Sequence, residues 1–468
     1  MRSCSLLILG CFCAGCAWDA TRPAEILHEA PPLAEGGTRP ERSGRALDEE
    51  ARAAAEAGEL TLVDAMRAAL LGYESLRVGA ERVFDAEMQR REAIAAVLPR
   101  VDLRGLHAVD EEEVAFGGSS VTPRERTESW VAVSQTIYSG RLAPGLRAIE
   151  QARVVESLRL AGERERLLFE TAARFYDALA SGRDTSSRGS ESLAVEESLP
   201  AFEARMRAGE ATPAALARAR AANAEASARL AEARVAEATA RARLSEITGI
   251  DPLPPGLADS LEVLEGTPDD IPRLVDTAFR ERLDVRIARA EIARAEARSD
   301  VTAREYHPEL VAEYTHWLRR DGGFNEEVDW TLSLGLRWTL FDGGGREARL
   351  ARGLSAVRQR QGEVRLLERR VRVEIEEAVL AYRSLEAVQE AYGAVAAAAR
   401  TRFEEAYARC DAGEWVLYEA GLAEAASIAA RNDADRVRWA RTLAALRIRL
   451  AAGDLGRVEP MREALEGE

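Results

Sequence analysis

The chain repeats itself once, and the repeat limits every later choice. Residues 69–77 (ALLGYESLR) align with 278–286 (AFRERLDVR) at a shift of 209, and the same shift carries Pro99 onto Pro308. The segment 131–140 (VAVSQTIYSG) aligns with 334–343 (LGLRWTLFDG) at a shift of 203, and Arg207-Ala208-Gly209-Glu210 with Asp411-Ala412-Gly413-Glu414 at 204. A unit of about 200 residues is far longer than a solenoid repeat, so it reads as a duplicated half. Whatever element occurs in one half must find its counterpart in the other.

Each half begins with a helix, over about 60–98 and 271–306, that stops before Pro99 or Pro308, because proline ends helices and biases the residue before it towards extended backbone. Two strands joined by a polar loop follow, over about 100–138 and 309–341, with loops at 110–128 and 319–329. A long helical stretch comes next, 141–208 or 345–412, and a further helix returns after a turn near Gly209 or Gly413. At about 1.5 Å per residue each long stretch reaches roughly 100 Å. Leu350, Leu354, Val357, Val364, Val371, Ile375, Ala378, Leu385, Tyr392 and Val395 form a near-heptad seam, as in coiled coils. The Ser/Gly-rich segment 181–192 is expected to interrupt the first long helix.

The last strand carries the sharpest pattern. Trp330, Leu332, Leu334, Leu336, Trp338 and Leu340 alternate with Thr331, Ser333, Gly335, Arg337 and Thr339, which gives one apolar and one polar face. Everything around it is amphipathic helix, so that face has no core to enter. A lipid-facing strand with tryptophan at both ends fits it, since indoles sit at headgroup depth. Val101, Leu103, Gly105, His107 and Val109 make a weaker version, and Trp130, Tyr138, Tyr314 and Trp317 are further girdle candidates. Four strands cannot close a barrel, and an open edge in lipid leaves backbone groups unsatisfied. Closure requires eight, twelve or sixteen strands, from two, three or four copies.

At 468 residues the length alone suggests about three globular domains. Only 6% of residues are aromatic while 31% are charged, which favours long helices over large compact cores. The net charge of −16 disfavours nucleic acid as a partner. His28, His107, His307 and His316 have no metal-ligand spacing, and Gly343-Gly344-Gly345 lacks the spacing of a nucleotide loop and suits a strand-to-helix turn. No catalytic residue, metal or cofactor is expected. The N-terminus reads MRSCSLLILGCFCAGC: Arg2, then an apolar run from Ser5 to Phe12, right for a signal peptide and too short to span a bilayer. Ala14-Gly15 before Cys16 resembles a lipoprotein cleavage box, with Cys13 where leucine is usual, and Cys16 is the expected lipidation site. One acyl chain alone anchors only marginally.

Taken together these features resemble the TolC-like outer-membrane efflux family over about residues 60–450. The matching stretches are Leu60 to Ala65, Leu98 to Arg100, the strand exits Ile137 to Gly140 and Leu340 to Gly344, and the hairpin tips 205–220 and 408–424. The resemblance implies a mainly α fold with a membrane β-barrel: a homotrimer in which twelve strands form one barrel and the long helices a periplasmic α-barrel. It implies a passive conduit for small molecules or proteins in a tripartite efflux or type I secretion system, in the outer membrane and reaching into the periplasm. Its partners would be outer-membrane lipid, a periplasmic adaptor and an inner-membrane transporter. Arg205, Gly209, Thr212, Gly413 and Glu414 would lie at the adaptor-contacting tips. Glu419 matches the first acidic residue of the family's periplasmic entrance constriction, whereas the second matching position is Leu422. Ala214 and Ala215 replace polar residues that lock the tip in some members. The alternative is a lipid-anchored periplasmic coiled-coil scaffold, which has no use for the Trp330 to Leu340 face. The resulting division is a signal peptide 1–15, an irregular leader 16–58, a first repeat 59–253, a linker 254–270, a second repeat 271–452 and a C-terminal tail 453–468.

Overall fold

The computed structural model describes residues 58–112, 114–116, 119–259, 270–320, 328–412 and 417–466, all within the compact unit Leu47–Glu468. The expected signal peptide, Cys16 and most of the leader lie outside the described residues.

The first half runs β1 (Glu59–Leu60), α1 (Leu62–Gly72), α2 (Glu74–Ala95), β2 (Arg100–Val109), β3 (Val114–Phe116), β4 (Ser119–Thr122), β5 (Glu125–Ser139), α3 (Leu142–Arg207) and α4 (Pro213–Thr248). After β6 (Gly256–Leu257), the second half runs α5 (Ile271–Glu281), α6 (Leu283–Ala303), β7 (Glu309–Arg320), β8 (Trp330–Arg337), α7 (Gly345–Asp411) and α8 (Leu417–Ala452), and the chain ends in α9 (Glu459–Glu466). Among the described residues, apart from the β3–β4 hairpin, the pairing of β1 with β6 and the terminal α9, the halves match element for element. That hairpin occupies the segment expected to be a plain loop, and β5 starts at Glu125 because its ladder with β2 continues out to Val109.

The opening helix of each half is two helices. Tyr73 (ψ 115°) and Arg282 (ψ 125°) stand in extended conformation between them, at the same shift of 209 that relates the halves. Each still closes the preceding turn, with Tyr73 N–H donating to the Ala69 carbonyl (3.0 Å) and Arg282 N–H to Ala278 (3.1 Å). The break has a packing cause. α1 buries Leu62, Ala65, Met66, Ala68, Ala69 and Leu70, whereas α2 buries only Leu76, Gly79 and Ala86 and lies along α3.

Two cores result. The first joins α1, Phe175 and Leu168 of α3, Leu244 of α4 and Leu446 and Trp439 of α8. The second joins Leu274 and Ala278 of α5, Val371, Ile375 and Val379 of α7 and Ile448 and Ala452 of α8. The heptad seam on α7 is therefore buried at its centre (Val364, Val371, Ile375, Ala378) and exposed towards its ends, where Leu354 is 47% and Val395 54% accessible. The last residues are part of the first core. After Gly453, Leu455 and Met461 are fully buried and Ala464 nearly so, so the segment 453–466 is a docked 3₁₀ turn and helix.

The expected interruption of α3 is not there: the helix is continuous from Leu142 to Arg207. Ser187 and Ser192 are buried, Thr185 donates back to the Ser181 carbonyl (3.1 Å), and Asn432 of α8 donates to the Arg183 carbonyl (2.8 Å). Hydroxyls that bond to the preceding turn leave a helix intact, and tertiary contacts here outweigh weak propensity. Among the described residues no helix is long and apolar enough to cross a membrane.

Candidate channel-forming surfaces

The sheet has strand order β2-β5-β7-β8, antiparallel throughout, and among the described residues both edges are open. Its register sorts the side chains into two faces, because directly paired residues point the same way. Trp330, Leu332, Leu334 and Leu336 pair with His316, Tyr314, Ala312 and Leu310, and these connect through Val131 and Val133 to Leu103 and Val101. That face is mainly apolar, with His316, Gln135, Thr127 and His107 as polar members. It is also uncovered, with Leu334 68%, Leu336 65% and Leu103 74% accessible. At its outer end the Tyr314 ring lies 6.2 Å from Trp330. The opposite face carries Arg100, Asp102, Arg104, Ser134, Glu313, Thr315, Thr331, Ser333, Gly335 and Arg337.

Two expectations need correction. Trp338 and Leu340 lie past the ladder, since β7 begins at Glu309, opposite Arg337, and offers no partner beyond it. They remain exposed, at 55% and 74%, and Trp338 Nε1–H donates to the Tyr306 carbonyl (3.0 Å). Trp130 and Trp317 pair with each other on the polar face and not on the girdle face. Counting parity along 125–139 would have shown this, because Trp130 falls in the same set as Ser134 and Thr136. Tyr138 and Tyr314 do lie on the apolar face.

Below the sheet a belt of ion pairs holds the strand-to-helix turns, and sequence reasoning did not find it. Glu309 accepts from Arg141 (3.4 Å) and from Arg337, and Arg349 bridges Glu305 (2.7 Å) and Asp342 (3.2 Å). Arg346 is buried, with its guanidinium 4.5 Å from the Tyr306 ring centre and bonded to the Leu340 carbonyl (3.2 Å). These groups line a cavity of about 280 Å³. Gly343 and Gly344, at φ 69° and 87°, make the turn into α7 in the left-handed region that favours glycine.

At the far end, α3 and α4 form a hairpin. Gly209 takes φ 76°, Glu210 N–H donates to the Arg205 carbonyl (2.9 Å), and the Thr212 hydroxyl caps α4 by accepting from Ala215 N–H (3.2 Å), with Pro213 in the first turn. Arg205, Gly209 and Thr212 are all exposed there. Gly413 and Glu414 of the second tip lie outside the described residues. Glu419 is exposed in the first turn of α8, where a carboxylate also complements the helix dipole, and Leu422 is half-buried. Next to it, Gly421 packs against Ala194 of α3.

The hairpins also present uncovered seams. On α4, Ala217, Ala221, Ala224, Ala228, Ala231, Val235, Ala238 and Ala242 alternate at three and four residues and are all exposed. The opposite side of α4 buries Ala226, Ala233 and Ala240 within the chain. On α7, Leu366 (61%), Val373 (51%) and Leu380 (62%) are exposed at intervals of seven. Among the described residues no group of His, Cys, Asp and Glu could hold a metal ion.

Residues 274–454 match the family model described as outer membrane efflux protein. No curated protein matches the chain in sequence. Among solved structures, the Campylobacter jejuni CmeC outer membrane channel superposes with a TM-score of 0.71 at 14% identity, over 84% of this chain and 86% of that one. A membrane protein from Pseudomonas aeruginosa gives 0.70 at 18% identity, over 87% and 92%. The open state of the Neisseria gonorrhoeae MtrE outer membrane channel gives 0.64 at 16%, over 84% and 89%. The solved channels share the fold of this chain, which is TolC-like, and its second half, residues 274–454, matches the outer membrane efflux protein family.

Proposed function

We propose that three copies of this chain form an outer-membrane channel, a passive conduit through which a tripartite efflux or type I secretion system exports small molecules or proteins. The observation that carries the reading is the four-stranded sheet, with one uncovered apolar face, one polar face and two open edges. An apolar face of that kind suits lipid, and edges in lipid must be paired. Joining β8 of one copy to β2 of the next continues the antiparallel order, and three copies give twelve strands; the number three rests on the family resemblance. The exposed alanine seam of α4 and the Leu366–Val373–Leu380 stripe of α7 supply helical surfaces for the same assembly, because small residues let helices approach closely.

In this reading the polar face lines the lumen and the helices extend it through the periplasm. The tips at Arg205, Gly209 and Thr212, with Gly413 and Glu414, meet the adaptor, through which the inner-membrane transporter delivers substrate. Glu419 forms a ring of three carboxylates at the entrance, single because Leu422 stands at the second position. Cys16 carries a lipid that assists the anchoring. Fractionation tests the reading: the protein is expected in the outer-membrane fraction, released only by detergent. Recovery as a soluble periplasmic protein would overturn it.

A further inference from the structure

The polar face of the sheet has one feature that a water-filled lumen does not require. Near its outer end, Trp130 of β5 and Trp317 of β7 are direct ladder partners, with ring centres 4.9 Å apart and planes tilted by 43°. The Arg320 guanidinium lies over the Trp317 ring, 4.3 Å from its centre. Both indoles are half-buried, and neither belongs to a core. A register shift of β7 between Trp317 and Arg319 places Arg320 on the same face as Trp317. On that face, towards the periplasm, the next residues are small or polar: Ala132 and Ser134 on β5, Thr315 and Glu313 on β7. The indoles therefore stand as a shelf above lower neighbours.

We propose that this shelf is a binding site for planar aromatic solutes, made by the Trp130–Trp317 pair, with Arg320 as the residue that positions the Trp317 ring. Indole pairs bind flat π systems by offset stacking, and such stacking tolerates many ring types because each has a π face. Carboxylates stand among the guanidinium groups here: Asp102 lies 3.6 Å from Arg104, which is opposite Trp130, and 3.0 Å from Arg100, and Glu128 is the ladder neighbour of Arg320. The chemistry that distinguishes this place from the rest of the polar face is aromatic. Its position in a lumen rests on the channel reading, where three such shelves would surround the outer mouth and hold ring-bearing cargo at the last step of its passage.

The test is calorimetric titration of the detergent-purified protein with 1-naphthoate and with decalin-2-carboxylate, which has equal charge and similar size without the π system. Naphthoate is expected to bind at least tenfold more tightly. Trp130→Leu and Trp317→Leu should each weaken it about tenfold. Trp317→Phe should keep most of the affinity, and Arg320→Gln should lose about threefold. Equal affinities for the two probes, or folded leucine variants within twofold of the wild type, would overturn the proposal. Should one leucine variant fail to fold, the other and Arg320→Gln carry the comparison. A monomer in the same preparation contradicts the channel reading alone, since both indoles and Arg320 belong to one chain and the titration still reports on them.

Discussion

Placing arginine at Leu334 tests the orientation of the sheet. From Trp330 to Trp338 the chain advances by eight residues, about 26 Å at roughly 3.3 Å each, and at a tilt near 40° that projects to about 20 Å. Leu334 is midway, 68% accessible in the single chain and paired with Ala312, so its side chain would enter hydrocarbon near the midplane. Arginine there costs about 2–4 kcal/mol, and three copies in one barrel bring the total to about 6–12 kcal/mol. That is comparable with the whole stability of many folded proteins. Ser333, one residue away on the other face, lies over the Glu313 carbonyl (3.3 Å) and would place arginine in water. The assay is the temperature at which the detergent-extracted trimer falls to monomer on semi-native gels. Leu334→Arg should abolish or sharply lower trimer recovery, and Ser333→Arg should leave it near wild type. Equal damage from both, or greater damage from Ser333→Arg, would refute the assignment of faces.

Three further outcomes follow from other parts of the molecule. Gly453→Ala should destabilise the protein by at least about 1–2 kcal/mol, seen as a lower Tm, because φ is 76° and a Cβ would stand 2.6 Å from the Arg282 backbone. Burial pushes the Glu165 carboxyl up to about 7, with Asp454 and Asp284 adding to the shift and Arg286 opposing it. Its folded value lies above the unfolded one, so the protonated group's contribution is full below about pH 4.5 and is lost as pH rises through 7; Glu165→Gln should raise Tm at pH 8 and leave it unchanged at pH 4. Glu419→Ala should lower cation selectivity in planar bilayers without affecting assembly, and Leu422→Asp should deepen it, as reversal potentials would record.

Much of this architecture is written in periodicity. The period-two pattern of 330–337 locates β8 and its apolar face, and glycine with a following Thr-Pro pair locates the first hairpin tip. What escaped depends on tertiary contacts that no local pattern encodes. Tyr73 and Arg282 break helices without proline because α1 and α5 must turn into separate cores. The 181–192 segment stays helical because α8 packs on it. Leu455, Val458, Met461 and Ala464 recur at intervals of three in the last residues, a signal short enough to be read as tail. The Trp130–Trp317 pair was visible as composition, but its face follows only from register. The ion-pair belt around Glu309 and Arg346 joins residues from both halves, so spacing within either half does not expose it.

The central claim is that the open sheet closes only with other copies of itself, and the mass of the detergent-extracted assembly tests it most directly. Native mass spectrometry should give three chains of 51.1 kDa, each less the expected signal peptide, with no soluble monomer in equilibrium. A single chain that stays monodisperse without detergent would contradict the account, because its apolar face and both sheet edges would then be in water with nothing to cover them.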